Sequence, residues 1–109
     1  MGRFRAEAIR IKKVGELTIV FYDAKRIYIQ KKNGNWTLFH RWGAPRGFYG
    51  SSWKHFRKLL MREKTITYEH CYRLAFRYDI GFLANVEAPD LEGKKTLEMI
   101  FPIKNKEVK

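Results

Sequence analysis

The segment Arg26-Ile27-Tyr28-Ile29-Gln30-Lys31-Lys32-Asn33-Gly34-Asn35-Trp36-Thr37-Leu38-Phe39-His40-Arg41-Trp42 decides how the rest of the chain is read. Apolar and polar residues alternate on both sides of Asn33-Gly34, and an Asn-Gly pair tolerates the positive φ angles of a type I′ turn. The segment therefore predicts a β-hairpin with a two-residue loop. That loop length sets the register: Lys32 opposite Asn35, Lys31 opposite Trp36, Gln30 opposite Thr37, Ile29 opposite Leu38, Tyr28 opposite Phe39, Ile27 opposite His40, Arg26 opposite Arg41. Opposed residues share a face of the sheet, and so do alternate pairs. One face then collects Ile27, Ile29, Trp36 and Leu38. The other collects Arg26, Tyr28, Gln30, Lys32, Thr37, Phe39 and Arg41.

Working outward, residues 4–13 read as a first strand, with Ile9 and Ile11 alternating against Arg10 and Lys12, and residues 17–22 as a second. A three-residue loop at Asp23-Ala24-Lys25 adds Leu17, Ile19 and Phe21 to the aliphatic face, and Thr18, Val20 and Tyr22 to the aromatic and basic one. After Trp42 a glycine-rich loop runs to Gly50. Ser51 or Ser52 is placed to cap a helix over 53–64, whose apolar positions are Trp53, Phe56, Leu59 and Leu60. A second helix opens at Thr65 or Thr67 and stops at Gly81, burying some of Tyr68, Cys71, Tyr72, Ala75 and Tyr78. Residues 82–95 read as turns. Leu97, Met99, Phe101 and Ile103 mark a last strand, which Pro102 places at a sheet edge or ends. The expected fold is α+β, an antiparallel sheet of four to five strands with two helices packed on one face, in a single domain over 1–109 with 104–109 frayed.

The chain carries 23 Lys and Arg against 11 Asp and Glu in 109 residues, a formal charge of +12. Three Trp, six Tyr and eight Phe accompany that charge, a load that disordered basic tails do not carry. From Ala24 to Arg62 there is no acid. That block holds Lys25, Arg26, Lys31, Lys32, Arg41, Arg46, Lys54, Arg57, Lys58 and Arg62, together with all three Trp. A thermophile's Lys-rich exterior is one explanation, although such surfaces pair Lys with Glu. Cations to track phosphates, interleaved with rings on which bases stack, are what single-stranded nucleic acid requires. The candidate binding residues are Arg26, Tyr28, Gln30, Lys32, Phe39 and Arg41 on the hairpin, Trp42, Arg46, Phe48 and Tyr49 in the glycine-rich loop, and Lys54 and Lys58 on the first helix.

Nothing in the chain is arranged for catalysis, and no cofactor is expected. Gly43, Gly47 and Gly50 fit neither nucleotide-loop spacing. Pro89-Asp90 directly before Glu92-Gly93-Lys94 imitates a metal-nuclease pattern, but that chemistry needs the two halves on separate elements. His40, His55 and His70 fall on three different elements, and the lone Cys71 excludes an internal disulfide and reads as a packed residue. No apolar run approaches the ~18 residues of a membrane span, and the first residues lack a signal's apolar core, so a cytoplasmic location away from membranes is expected.

The hairpin 26–42 and the helix Trp53-Lys54-His55-Phe56-Arg57-Lys58-Leu59-Leu60, in a basic domain without a cysteine framework, resemble the ThermoDBP family, non-OB single-stranded DNA-binding proteins of hyperthermophilic archaea. The resemblance implies binding without catalysis, and homo-oligomers that combine surfaces around a strand. The expected function is sequence-tolerant binding of single-stranded nucleic acid, DNA in preference to RNA. The alternatives are a protein-interaction or viral accessory module with a basic face for an acidic partner, and a metal-dependent nuclease.

Overall fold

The computed structural model describes residues 8–40 and 48–101, side chains excepted at 48–51 and 100–101. The fold is α+β. Its elements in chain order are β1 (Ile9–Val14), β2 (Leu17–Asp23), β3 (Arg26–Gln30), β4 (Trp36–His40), α1 (Phe48–Arg62), α2 (Tyr68–Arg77), β5 (Gly81–Val86) and β6 (Thr96–Phe101). One sheet of six strands runs in the order β5-β4-β3-β2-β1-β6. Every neighbouring pair is antiparallel except β1 with β6, which is parallel. The sheet is thus mixed rather than purely antiparallel, and larger than four or five strands. The additional strand is β5, in the stretch whose Pro, Gly and Asn content reads as turns; β4 recruits it by pairing Leu38 with Leu83 and Phe39 with Phe82. β6 lies at a sheet edge, one of the two positions that Pro102 predicts; Ile103 lies outside the described residues.

The central hairpin departs from the expected register by one residue. Gln30 pairs with Trp36, Ile29 with Thr37, Tyr28 with Leu38, Ile27 with Phe39 and Arg26 with His40. The loop has three residues, closed by Gly34 N–H donating to the Lys31 carbonyl at 2.9 Å and Lys31 N–H donating to the Asn35 carbonyl at 2.9 Å. Gly34 takes φ +95° while Asn33 keeps a negative φ, the pattern of a type I turn followed by a bulge glycine rather than of a type I′ turn. Because side chains alternate with period two, this single-residue slip exchanges every β4 side chain between faces. Phe39 and Thr37 enter the core, and Trp36 and Leu38 leave it. The β2–β3 turn keeps the expected face parity, since a bulge between Phe21 and Asp23 offsets a shorter two-residue turn.

On the helix face, Val14, Leu17, Ile19, Phe21, Ile27, Ile29 and Phe39 pack against Trp53, Phe56 and Leu60 of α1 and Cys71, Leu74 and Ala75 of α2. α1 begins at Phe48, a turn and more before the expected start, so Ser51 and Ser52 lie inside the helix rather than at its N-cap position. α2 starts as expected, with the Thr67 hydroxyl accepting from His70 N–H at 3.1 Å. The reverse face carries a smaller core of Ile9, Ile11 and Val20, bordered by Tyr22, Tyr28, Trp36 and Leu91. Leu91 reaches this face because β5 and β6 are opposite edges, and the 87–95 connection must cross the sheet to join them. It is tied down by the Tyr22 hydroxyl donating to the Asp90 carbonyl at 3.2 Å. Among the described residues no helix is long and apolar enough to cross a membrane.

One buried cation joins helix to sheet. Lys12 of β1 is fully buried, and its Nζ donates to the carbonyls of Leu60 at 2.7 Å and Met61 at 2.8 Å, and to that of Glu63. These belong to the carbonyls that every helix leaves unpaired at its C-terminus, where the helix dipole also favours a positive charge. Burial lowers the Lys12 pKa from the ordinary lysine value, while Glu63 and the Cys71 thiol act in the opposite direction. Lys12→Met strands those carbonyls and is expected to lose about 2–4 kcal/mol in urea unfolding, the scale of hydrogen bonds to a buried charge. Since the folded pKa lies below the unfolded one, the unfolded state holds the proton more tightly. Wild type should therefore gain on the Met variant as pH rises from the lowered pKa to the ordinary one.

Candidate nucleic-acid interface

The expected hairpin residues do not assemble into one stacking surface. Phe39 is 0% exposed, its ring 5.7 Å from Phe56 and 5.6 Å from Phe82, so it is a core residue and cannot stack on a base. Tyr28 stays on the reverse face but is half-buried, edge-on to Tyr22 at 5.5 Å and to Trp36 at 6.3 Å, in the cluster that Leu91 also joins. Arg26 is neutralised by Asp23 at 2.6 Å and lies 4.8 Å from the centre of the Tyr22 ring. Burial acts to raise the Asp23 pKa, but the hydrogen bonds from Arg26 and from Lys25 N–H together outweigh it and hold the carboxyl below its usual value. Gln30 donates to the Gly34 carbonyl at 3.2 Å, which makes it a turn brace. The crossing segment brings residues of both signs of charge to Tyr22, Asp90 through its backbone carbonyl and Lys94 with its Nζ 6.0 Å from the ring centre. Arg41, Trp42 and Arg46 lie outside the described residues; Phe48 and Tyr49 belong to the first turn of α1 rather than to a loop.

Among the described residues, exposed cations outside the two salt bridges lie on the helix layer and at one end of the sheet, and others, among them Lys13, Lys25, Lys94 and Lys95, lie elsewhere. Lys54, Lys58 and Arg62 recur every four residues along α1 and are all exposed. Lys64 follows in the connection to α2, and Lys31 and Lys32 project from the hairpin loop beside it around a shared cleft. On α2, Arg73 and Arg77 are exposed. The salt bridges among the described residues are Asp23–Arg26 and Glu16–Lys32, the second at 3.7 Å between two exposed side chains and therefore worth little.

Rings accompany these cations on α2, at positions outside the sequence-expected set. Tyr68, Tyr72 and Phe76 recur at i, i+4, i+8 and form a ridge: Tyr68 stacks on Tyr72 at 6.2 Å and 26°, and Tyr72 meets Phe76 edge-on at 5.1 Å. Phe82 of β5 closes the cluster at 5.0 Å from Tyr72 and 6.0 Å from Phe76. Tyr72 is 36% exposed and Phe76 65% exposed, the large apolar side chains that α2 leaves in solvent. The Tyr68 hydroxyl is 3.0 Å from Thr37 Oγ1, which fixes the base of the ridge, and Lys31 Nζ sits 4.7 Å above its ring. A sequence signal for the ridge exists. Cys71, Leu74 and Ala75 already supply one apolar stripe on α2, and Tyr68, Tyr72 and Phe76 are a second, more than one core contact can absorb.

Comparison with protein-family models, with curated proteins and with solved structures finds no match to this chain. The reading of the site therefore rests on its geometry.

Two of the groups with reactive potential, Cys71 and His40, are buried. The Cys71 thiol is fully buried, and burial pushes its pKa up to about 12, which leaves it protonated and inert at neutral pH. His40 is buried at the end of β4, and burial lowers its pKa, favouring the neutral imidazole. Among the described residues no group of three His, Cys, Asp or Glu is placed to hold a metal ion.

The division between core and surface rings has a direct check. Phe39→Ala opens a cavity and should lose about 3–5 kcal/mol in urea unfolding, whereas Phe76→Ala should change stability by about 0.5 kcal/mol or less. The Cys71 thiol should react with an aromatic disulfide reagent only after unfolding, and immediate labelling of the native protein would contradict its placement.

Proposed function

We propose that this protein binds single-stranded nucleic acid, without catalysis and without base specificity, on its helix layer rather than on the reverse face of the sheet. The observation that carries the reading is the exposed ridge of Tyr72 and Phe76, flanked by Arg73 and Arg77 and sharing the layer with the Lys54, Lys58, Arg62 stripe of α1. Phosphates meet the cations, and bases stack on the rings. Stacking is worth about 1–3 kcal/mol per base and accepts any base, since every base presents a flat face. A strand rather than a duplex fits because ring faces are useful only to unstacked bases. DNA in the cytoplasm is the favoured ligand, in line with the resemblance to ThermoDBP-type domains.

A labelled oligonucleotide followed by fluorescence anisotropy tests the reading. Intrinsic tryptophan emission is the poorer probe, because Trp53 is buried with its Nε1 donating to the Ala24 carbonyl at 2.7 Å, and Trp36 lies on the reverse face. Phe76→Ala and Tyr72→Ala should each weaken binding by about 1–3 kcal/mol at every salt concentration. Lys58→Ala should instead make the plot of log affinity against log salt shallower by about 0.7, the share of one single-strand phosphate contact. No binding at low ionic strength, or equal affinity of wild type and the Tyr72/Phe76 double variant, would overturn the proposal.

A further inference from the structure

The end of the sheet where β1 turns into β2 and β3 into β4 forms a cleft of about 800 Å³ with the connection between the helices. Val14, Leu17 and Ile66, largely covered as part of the helix-face core, form its floor, the half-buried Tyr68 ring forms a wall, and Lys31, Lys32 and Lys64 stand around them. Its one carboxylate, Glu16, is 3.7 Å from Lys32, so Lys31 and Lys64 remain as uncompensated positive charges. The volume lies within the range of small-ligand sites, roughly 300–1,000 Å³, and the mixture of apolar lining with a few convergent polar groups is their usual make-up.

These features restrict the occupant. A bare inorganic anion would leave the apolar lining uncovered, and a neutral lipophile would leave the lysine charge unmatched. An acceptable ligand joins a flat apolar body to a group bearing more than one negative charge. The site is also held in shape before any ligand arrives. Tyr68 is fixed by its contact with Thr37 and by stacking on Tyr72, and Lys31 is held over the Tyr68 ring at 4.7 Å. Little side-chain freedom is left to be lost on binding at those positions.

We infer that this cleft is a subsite for one nucleoside monophosphate unit, with the base against Val14, Leu17 and Ile66 and the phosphate on Lys31 and Lys64. Tyr68 is both a wall of the cleft and the first ring of the Tyr68–Tyr72–Phe76 ridge. A strand lying on the ridge therefore has its terminal nucleotide beside the cleft, and the inference rests on the strand-binding reading for this source of the ligand. A free nucleotide is the other source of the same chemistry.

The test titrates the full chain with adenosine monophosphate, adenosine and inorganic phosphate, following backbone amide shifts by NMR. Saturable shifts at Lys31, Lys64, Ile66 and Tyr68 are expected with the monophosphate. Adenosine and phosphate should bind at least about tenfold more weakly, since each offers only half of the recognition. Lys31→Ala, at a half-buried position, and Lys64→Ala, at an exposed one, should each weaken the monophosphate about tenfold, and Glu92→Gln, on the crossing connection outside the cleft, should leave it unchanged. Monophosphate shifts absent from these residues, or insensitive to both lysine variants, would overturn the inference. Parallel titrations with oligonucleotides bearing or lacking a 5′-phosphate separate it from the preceding proposal. Oligonucleotide binding with no response to the monophosphate sinks the cleft alone. Monophosphate binding with no oligonucleotide binding sinks the strand reading and leaves a free-nucleotide site. Tighter binding of the phosphorylated strand supports both.

Discussion

The turn at Lys31–Gly34 decides what each face of the sheet is made of. One N–H to carbonyl contact, Gly34 to Lys31, and one positive φ at Gly34 choose a three-residue loop over a two-residue one. Strand side chains alternate with period two, so that choice assigns all five β4 residues. Phe39 becomes the ring on which Phe56 of α1 and Phe82 of β5 converge. The helix face thereby has a large central side chain against which both helices close, and the reverse face receives Trp36 and Leu38 in exchange. With the other register, Phe39 would be stranded beside Tyr28, and Trp36 would compete for space under the helices.

Lys12 supplies the second constraint. A fully buried ammonium is tolerated only because the end of α1 offers carbonyls with no other backbone partner, and those carbonyls are satisfied only because β1 delivers a long cationic side chain beneath them. Helix and sheet are therefore joined by a mutual requirement as well as by apolar area. The same arrangement leaves α1 with its last turn held down and its Lys54, Lys58, Arg62 stripe facing solvent. At the next turn of the chain it places Lys64 beside the hairpin loop, where the cleft forms.

Aromatic residues end in two different environments for one geometric reason. The sheet has two faces, and the 87–95 connection between opposite edge strands must pass over the one that the helices leave bare. Tyr22, Tyr28 and Trp36 are thereby half-covered. α2, at the outer margin of the helix layer, has more apolar surface than its contact with β4 and β5 can hide, and Tyr72 and Phe76 stay in water. The exposed rings consequently share the helix layer with the Lys54, Lys58, Arg62 stripe and with Arg73 and Arg77.

Much of the fold was legible in local pattern. The Ile9 and Ile11 alternation placed β1 but not its faces, since Lys12, on the side read as polar, is the residue buried under α1. The alternations at Leu17, Ile19 and Phe21 and at Ile27 and Ile29 placed two strands and their helix-facing sides, and Thr67 was one of two residues marking the start of α2, because period-two alternation and capping are short-range physics carried by a few neighbouring residues. The candidate cations Lys54 and Lys58 were legible for the same reason, since a four-residue repeat stays on one side of a helix whatever it packs against. Three things were decided only in the folded chain. The loop length at Asn33-Gly34, and with it which ring, Phe39 or Trp36, fills the space under α1, is one. Strand β5 exists because β4 had a free edge to pair with, not because Gly81-Phe82-Leu83-Ala84-Asn85-Val86 has a strong strand pattern. The exposure of Tyr72 and Phe76 depends on how far the sheet extends beneath α2, a distance that no local stretch of sequence encodes.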